Sequence, residues 1–331
     1  MRASFSRMLS RYWLPGIAAL ALGAASAPAG AETITVTHWG SAFYGAPYAV
    51  AMAKGLFKPH GVDVTGILTS AGGGTSVRNT LAGELPFGEV ALSAAVLAIN
   101  SGQPLKIISG GVDTVADILW ITQPDSPLKS IKDVVGKKVS YTSPGSVTNM
   151  LILMCLKSAG IDPKDVKLLP AGDIGANLSA VINRAVDAGM NGEPLWSENK
   201  DKVRPLFWSG DCFPPQMTQT VGITTTEYAK TGGDKLRAII AGRREGAAYI
   251  AQHPDESADI VAKAYNGEPK LYREVFRHFL DIKYWGDGRL NYEAMNRMTD
   301  GMQLVGTLKA PPEWSKLVDT SFLPKGLAPT Q

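Results

Sequence analysis

The chain has 331 residues, of which 33 are Lys or Arg, 30 are Asp or Glu, and 45% are hydrophobic. This is a globular composition, with enough residues for one large or two medium domains. The three basic residues before residue 32 account for the whole formal charge of +3, so the remainder is balanced, and a nucleic-acid partner has no electrostatic support.

The first 31 residues are predicted to be a signal peptide. Arg2, Arg7 and Arg11 precede an apolar run over 14–27, and small residues follow up to Ala31. The run is shorter than the roughly 20 apolar residues that a spanning helix needs, which disfavours a membrane anchor. We therefore expect export to the periplasm, with cleavage after Ala31.

The two cysteines leave two interpretations open. In an exported protein they can form one disulfide, but Cys155 lies in an apolar run and Cys212 in a Pro-rich stretch. A buried free thiol at Cys155 is an equally good interpretation.

The stretch 34–67 predicts a strand, helix, strand unit. Alternating β-branched residues favour a strand over 34–37, Pro47 suits the first turn of a helix that runs to Lys54, and a second strand covers 62–68. The loop after the first strand carries small and aromatic residues, including Trp39, Ser41, Phe43 and Tyr44. Open α/β folds bind ligands at this end of their strands.

A second unit begins with three glycines, at 72–74. Thr75 or Ser76 is predicted to cap a helix through Leu81, whose free N–H groups suit an anionic or carbonyl-bearing ligand. A flexible turn with an ordinary cap is the alternative. A strand over 87–92 then ends on Ser93, where a further helix begins.

A third unit contains two more strand ends. An apolar strand over 118–121 includes Trp120, and a strand over 139–141 ends in the segment 142–146. The helix that follows is apolar around most of its circumference, which predicts burial between layers. Ser146 and Thr148 are candidate caps that leave backbone donors facing the region above the sheet.

The next strand, near 185–188, leads toward Glu193. Its carboxylate is predicted either to bind a ligand amine or hydroxyl, or to cap the helix that Pro194 enters. The remaining chain predicts strands over 203–208 and 221–225, followed by helices over 234–252, 254–265, 269–279, 292–304 and 312–318.

An ordered set of these segments resembles the solute-binding proteins of ABC importers for nitrate, sulfonate, taurine and thiamine-precursor substrates. The segments are GSAFYGAPYAVAMAKGLFKPHGVDV, PFGEVAL, DSPLKSIKDVVGKKVSYTSPGSVTNMLI, VDAGMNGEP and the long stretch that starts at TEYAK. They cover essentially the whole chain after residue 31, in order. Two departures are Glu89, where aspartate is commoner, and Asn183–Arg184, where a glycine is commoner.

The resemblance implies an α/β fold, the two-lobed periplasmic binding protein fold of type II, with two crossing hinge strands. Lobe 1 is expected over 32–115 and 222–331, and lobe 2 over 116–221. The family's ligand-binding positions fall on Ser41, Phe43, Tyr44, Gly74, Thr75, Ser76, Ser93, Ser143, Gly145, Ser146 and Glu193. Among the aromatic residues, Trp39 and Trp120 are further candidates for walls of the cleft.

The predicted function is capture of a small organic solute, such as a sulfonate, a carboxylate or a related anion, by closure of the lobes. The expected partner is a membrane ABC permease with a cytoplasmic ATPase, and a monomer is expected. A thiamine-precursor-like heterocycle, an enzyme of pyrimidine synthesis and a periplasmic sensor domain are alternatives. No cofactor, metal site or catalysis is expected, because the four histidines are scattered and no GxSxG or cysteine-rich motif is present.

Overall fold

The computed structural model describes residues 32–70, 72–327 and 329, so the predicted signal peptide lies outside the described residues. Within these ranges, no helix combines the length and the apolar character needed to cross a bilayer. The strands are β1 Glu32–Val36, β2 Val64–Leu68, β3 Phe87–Ala91, β4 Leu105–Gly110, β5 Leu119–Thr122, β6 Lys138–Tyr141, β7 Lys167–Pro170, β8 Ala188–Asn191, β9 Arg204–Trp208 and β10 Thr220–Thr225.

The strands form two mixed sheets of five strands each. The first has the order β2-β1-β3-β10-β4, and the second has the order β7-β6-β8-β5-β9. In the first sheet β1, β2 and β3 are parallel, and β10 pairs with β3 antiparallel. In the second sheet β6, β7 and β8 are parallel, and β5 pairs with β8 antiparallel. The predicted α/β fold is confirmed, and each sheet has its own edge where strands end.

Helices cover the faces of both sheets. They are α1 Ala46–Lys54, α2 Gly73–Ala82, α3 Leu92–Asn100, α4 Val147–Ser158, α5 Ile174–Ile182, α6 Leu195–Glu198, α7 Thr226–Thr231, α8 Gly233–Gln252, α9 Pro254–Tyr265, α10 Pro269–Asp281, α11 Tyr292–Leu304 and α12 Trp314–Leu317. Central strands such as β3 are buried along their whole length, as expected where both faces of a sheet are covered.

The ends of α1 follow the local chemistry, and the start of α2 does not. Pro47 lies in the first turn of α1, and Gly55 ends it with a left-handed φ of 67°. The prediction that Thr75 or Ser76 caps α2 is wrong, because α2 begins at Gly73, directly after its N-cap residue Gly72. The φ of 152° at Gly72 favours glycine, and no side chain caps that helix.

The chain passes between the two sheets twice, over 111–118 and over 209–219. The two crossing segments are joined to each other by hydrogen bonds: Gln219 N donates to Val112 O (2.7 Å), and the Thr218 hydroxyl donates to Asp113 Oδ1 (2.7 Å). Thr220 starts a strand of the first sheet. The division into lobes at 115/116 and 221/222 stays a proposal.

Two features tie distant parts of the core together. Arg243 on α8 donates through Nε to Glu89 Oε2 on β3 (2.7 Å), and both side chains are only 1% exposed. Removing one partner of such a pair would leave a buried, uncompensated charge. Cys155 on α4 and Cys212 form a disulfide with a Cα–Cα distance of 5.2 Å, so the bridge is the correct one of the two interpretations.

Candidate functional site

A narrow crevice lies where the strand ends of the two sheets face each other. Its cavity volume is about 20 Å³, which is room for about one water molecule. The first sheet contributes residues that follow β1, end β3 and begin β10, and the second contributes residues near the ends of β6 and β8 and at the N-termini of α4 and α5. The lining residues are Thr37, His38, Tyr44, Gly73, Ala91, Thr142, Ser146, Val147, Thr148, Ile174, Met190 and Thr220.

Helix N-termini converge on this crevice from both sheets. The first residues of α2, α4 and α5, which are Gly73, Val147 and Ile174, line it, and α3 begins immediately after the lining residue Ala91. Unpaired N–H groups and the macrodipole give a helix N-terminus a partial positive charge. Because the first residues of three helices line one space, the crevice favours a negatively charged or carbonyl-bearing group.

The N-terminus of α4 carries a cluster of hydroxyl groups. The Ser146 side chain caps the helix by accepting from Asn149 N (3.1 Å). Its hydroxyl lies 3.1 Å from that of Thr148, which in turn lies 2.9 Å from that of Thr142. Cap geometry therefore holds three hydroxyls in fixed positions at one wall of the crevice, where each can donate to or accept from a ligand.

The opposite wall carries polar atoms that have no protein partner. The Thr37 hydroxyl and His38 Nδ1 are buried, and neither makes a hydrogen bond within the described ranges. Burying such atoms without a partner costs free energy, which a ligand with matching groups would recover. Both residues follow β1 directly.

His38 is a site residue that the sequence reasoning missed. We expected an ordinary surface or strand histidine, but its side chain is buried, and its backbone is in the left-handed region with a φ of 52°. Its ring centroid lies 6.3 Å from that of Tyr44. Burial lowers the pKa of His38 to about 4 despite the nearby Asp173 carboxylate. Its position at the end of the first strand was the signal that would have found it.

Behind the crevice, a second layer of polar groups holds Tyr44 in place. The Tyr44 hydroxyl donates to Gln219 Oε1 (2.5 Å), and Gln219 Nε2 donates to Asp117 Oδ1 (2.6 Å). Burial raises the pKa of Asp117 to about 7. Because Asp117 and Gln219 lie on the two crossing segments, Tyr44 connects the crevice to both of them.

Thr220 is held in a similar way by the buried ion pair. Its hydroxyl donates to Glu89 Oε1 (2.8 Å) and accepts from Val112 N (3.0 Å). Glu89 thus supports a lining residue and does not itself line the crevice.

Of the predicted ligand-binding residues, Tyr44 and Ser146 line the crevice. Several others lie next to it and support its walls. The Ser41 hydroxyl donates to His38 O (3.3 Å), and the Ser93 hydroxyl donates to Gly145 O (2.8 Å) from one sheet's helix to the loop of the other. Ser143 lies against Gly72, close enough that an added Cβ there would clash with its hydroxyl.

The predicted positions on α2 also lie outside the crevice. The Ser76 hydroxyl is buried and donates to Gly72 O (3.0 Å), while the Thr75 hydroxyl accepts from Arg78 at the surface (3.0 Å). Gly74 and Gly145 line a separate, open groove between α2, α3 and the loop before α4. These positions shape the helix and the loop and have no contact with the crevice.

Three predicted aromatic residues lie in packed clusters and do not line the crevice. Phe43 packs edge-on against Tyr272, at a centroid distance of 5.0 Å. Trp39 packs edge-on against Tyr265, also at 5.0 Å. Trp120 is fully buried, where it stacks on Phe207 (5.1 Å) and donates to Ser140 O (3.1 Å). Their large apolar rings pack against other aromatic side chains of the protein, which is the physical reason that they do not line the crevice.

Glu193 caps the short helix after β8, which was one of its two predicted roles. Its carboxylate accepts from the Ser197 hydroxyl (2.8 Å) and from Ser197 N (3.2 Å). Burial raises the pKa of Glu193. It does not line the crevice.

A larger surface cavity lies at the amino end of β1, beside Glu32 and Lys235. It is lined only by residues of the first sheet and its helices, and Glu32 and Lys235 form an ion pair with each other. The crevice is the better candidate site, because both sheets contribute to it and its buried polar atoms lack protein partners. In the described part of the chain, no three His, Cys, Asp or Glu side chains form a potential metal site.

Comparison with protein families gives one match. The profile of the family described as "NMT1/THI5 like" matches residues 42–257, which is more than half of the chain. No curated protein matches the sequence.

Solved structures with the same fold include several periplasmic binding proteins. The aliphatic sulphonate binding protein SsuA from Escherichia coli is 17% identical, with a TM-score of 0.68, covering 88% of this chain and 98% of that one. The alkanesulfonate-binding protein SsuA from Xanthomonas axonopodis pv. citri, bound to MOPS, is 15% identical with a TM-score of 0.71, covering 90% and 99%. The nitrate-binding protein NrtA from Synechocystis PCC 6803 is 16% identical with a TM-score of 0.67, covering 86% and 83%.

Proposed function

Because the chain belongs to the NMT1/THI5-like family and has the two-lobed fold of periplasmic binding proteins, we propose that it is the solute-binding component of an ABC importer. In this role it captures a small organic solute in the periplasm as a monomer. It then delivers the solute to a membrane permease that is driven by a cytoplasmic ATPase.

The solute that the crevice suits best is a small organic anion, such as a sulfonate or a carboxylate. The observation that carries this proposal is the convergence of three helix N-termini, those of α2, α4 and α5, on one crevice whose polar lining is mainly hydroxyl groups. Backbone N–H groups and hydroxyls bind anions by donating hydrogen bonds. Among the described lining residues, none is Lys or Arg, so the donors are neutral.

A pyrimidine-like heterocycle is the second candidate. The hydroxyls of Thr37, Thr142 and Thr148 can accept as well as donate, and the His38 imidazole is neutral when the crevice is empty. Neutral heterocycles present both donors and acceptors, so they match this lining without a charge.

A thermal-shift panel tests the proposal. Purified protein is heated with sulfonates, carboxylates, nitrate and pyrimidines, and we expect at least one anion to raise the melting temperature. A ligand at about 100 times its Kd stabilises the folded state by about 2.7 kcal/mol, which is readily measured. A shift with pyrimidines alone would favour the second candidate, and a panel without any shift would contradict both.

A further inference from the structure

An anion bound in this crevice would lack a cationic side chain among the described lining residues. Arg243 is the buried cation nearest in the network, but it is already paired with Glu89, behind Thr220. Burying an anion with neutral donors alone leaves its charge uncompensated, which is costly in a region shielded from water.

His38 is the lining residue able to gain a positive charge. Its side chain is buried at the end of β1, its Nδ1 is buried without a protein hydrogen-bond partner within the described ranges, and it lines the crevice that α2, α4 and α5 point into. The left-handed backbone at this residue orients the side chain, and Ser41 donates to its carbonyl oxygen (3.3 Å). A ring nitrogen without a protein partner, in a crevice lined by helix N-termini, can form a hydrogen bond with a ligand oxygen.

We propose that His38 takes up one proton from solvent when the anion enters, so that an imidazolium pairs with the bound solute. In this step a neutral imidazole, one proton from solvent and the free anion together form the imidazolium–anion pair. This inference rests on the proposed function, since it requires that the solute be an anion.

The groups around His38 fit this role. Burial holds its pKa at about 4 in the empty crevice, so the ring is neutral there, and an adjacent anion would raise that pKa. The charge of Asp173, the cap of α5, already favours the charged form of the ring. Tyr44, whose ring centroid lies 6.3 Å from that of His38, has a pKa raised by burial and stays protonated. Behind Tyr44, Asp117 is a competing proton acceptor, with a pKa of about 7.

Calorimetry at about pH 6 separates the two acceptors. At this pH Asp117 is already mostly protonated, and the His38→Asn variant separates uptake at His38 from uptake at Asp113, whose pKa burial raises to about 6. The probes are methanesulfonate, taurine, benzenesulfonate and benzoate, each titrated in buffers of different ionisation enthalpy. We expect uptake of about one proton per bound probe, and a Kd that falls by up to about tenfold for each unit that the pH is lowered toward about 5.

Three variants complete the experiment. In His38→Asn, whose amide tolerates the left-handed backbone, uptake is expected to vanish and the Kd to become independent of pH over this range. His60→Gln, at an exposed histidine paired with Glu245, and Asp117→Asn are expected to keep the uptake.

The outcomes are distinguishable from failure of the proposed function. Binding with uptake below about half a proton, or uptake that persists in His38→Asn, overturns the role of His38 and leaves the proposed function standing. If proton uptake is lost in Asp117→Asn, the proton is assigned to Asp117, and the role of His38 is again overturned. If no probe binds, the proposed function and this inference fail together.

Discussion

At the scale of single residues, burial places two titratable groups of the site region in unusual ionisation states. Asp117 has its pKa raised to about 7, and His38 has its pKa lowered to about 4, in each case mainly because burial disfavours the charged form. Both groups are therefore neutral over much of the range between these values. The candidate site thus consists of neutral donors and acceptors in this pH range.

These shifts have opposite consequences for stability. A carboxyl group whose folded pKa is raised contributes stability at low pH, and that contribution is lost as the pH rises from about 4 to about 7. A histidine whose folded pKa is lowered acts in the other direction, so its contribution is lost as the pH falls from about 6.5 to about 4. The two partly cancel in the wild-type protein, and a variant is needed to separate them.

The variant Asp117→Asn keeps an oxygen that can accept from Gln219 but does not titrate. We expect its free energy of unfolding, relative to wild type, to increase by a few kcal/mol between about pH 4 and pH 8, because only wild type must ionise a buried carboxyl group. Urea unfolding at several pH values measures this difference. The contribution of His38 is the same in both proteins, so it cancels. A difference that stays constant with pH would contradict the assigned pKa.

At the scale of elements, α4 links the packing of the second sheet to the crevice. Its apolar side chains are buried, and Cys155 joins it to Cys212. The rigid body of the helix therefore holds its N-terminal N–H groups in position. Ser146 is the one side chain that both caps this helix and lines the crevice.

Replacing Ser146 by Ala is expected to affect both stability and binding. Loss of the cap costs about 1 kcal/mol of unfolding free energy, and loss of a lining hydroxyl raises the solute Kd several-fold. Denaturant unfolding and calorimetry with a binding probe from the panel measure the two effects.

The control is Ser130→Ala. Ser130 caps the short helical turn 131–134 by accepting from Lys132 N (3.2 Å), and it does not line the crevice. A similar loss of stability with an unchanged Kd is expected. Equal Kd values for the two variants would remove Ser146 from the site.

At the scale of the whole molecule, contacts away from the crossing segments also join the two proposed lobes, among them the packing of α4 against α3 and α11. The Ser93 hydroxyl on α3 donates to Gly145 O, in the loop before α4. This hydrogen bond joins one proposed lobe to the other. It is made only when the lobes are close, so it favours the closed arrangement over an open one.

We expect Ser93→Ala to weaken solute binding about twofold to tenfold, the equivalent of one net hydrogen bond, by disfavouring closure. Small-angle X-ray scattering is expected to give a smaller radius of gyration for the wild type when a solute is added. Ser101→Ala, at the residue that ends the same helix, removes a hydroxyl that donates to Ala98 O, and is expected to leave the Kd unchanged. An unaltered radius of gyration together with equal Kd values would contradict closure.

The sequence by itself determined the element order and the family. Strand and helix patterns depend on neighbouring residues, and proline and glycine mark ends locally, so α1 and the strands were predicted within a few residues. The placement of Tyr44 and Ser146 at strand ends was equally local, because in this fold strand ends meet at a shared edge.

Only the tertiary structure decided which side chains face the crevice. Phe43 and Tyr44 are adjacent in sequence, yet one lies in an aromatic cluster and the other lines the site. Likewise, Thr37 and His38 both line the crevice, Trp120 is buried in the core, and Cys155 forms a disulfide with Cys212. The physical reason is that the direction of a side chain and its distance from other residues depend on packing between elements far apart in the chain. No local sequence pattern encodes this packing.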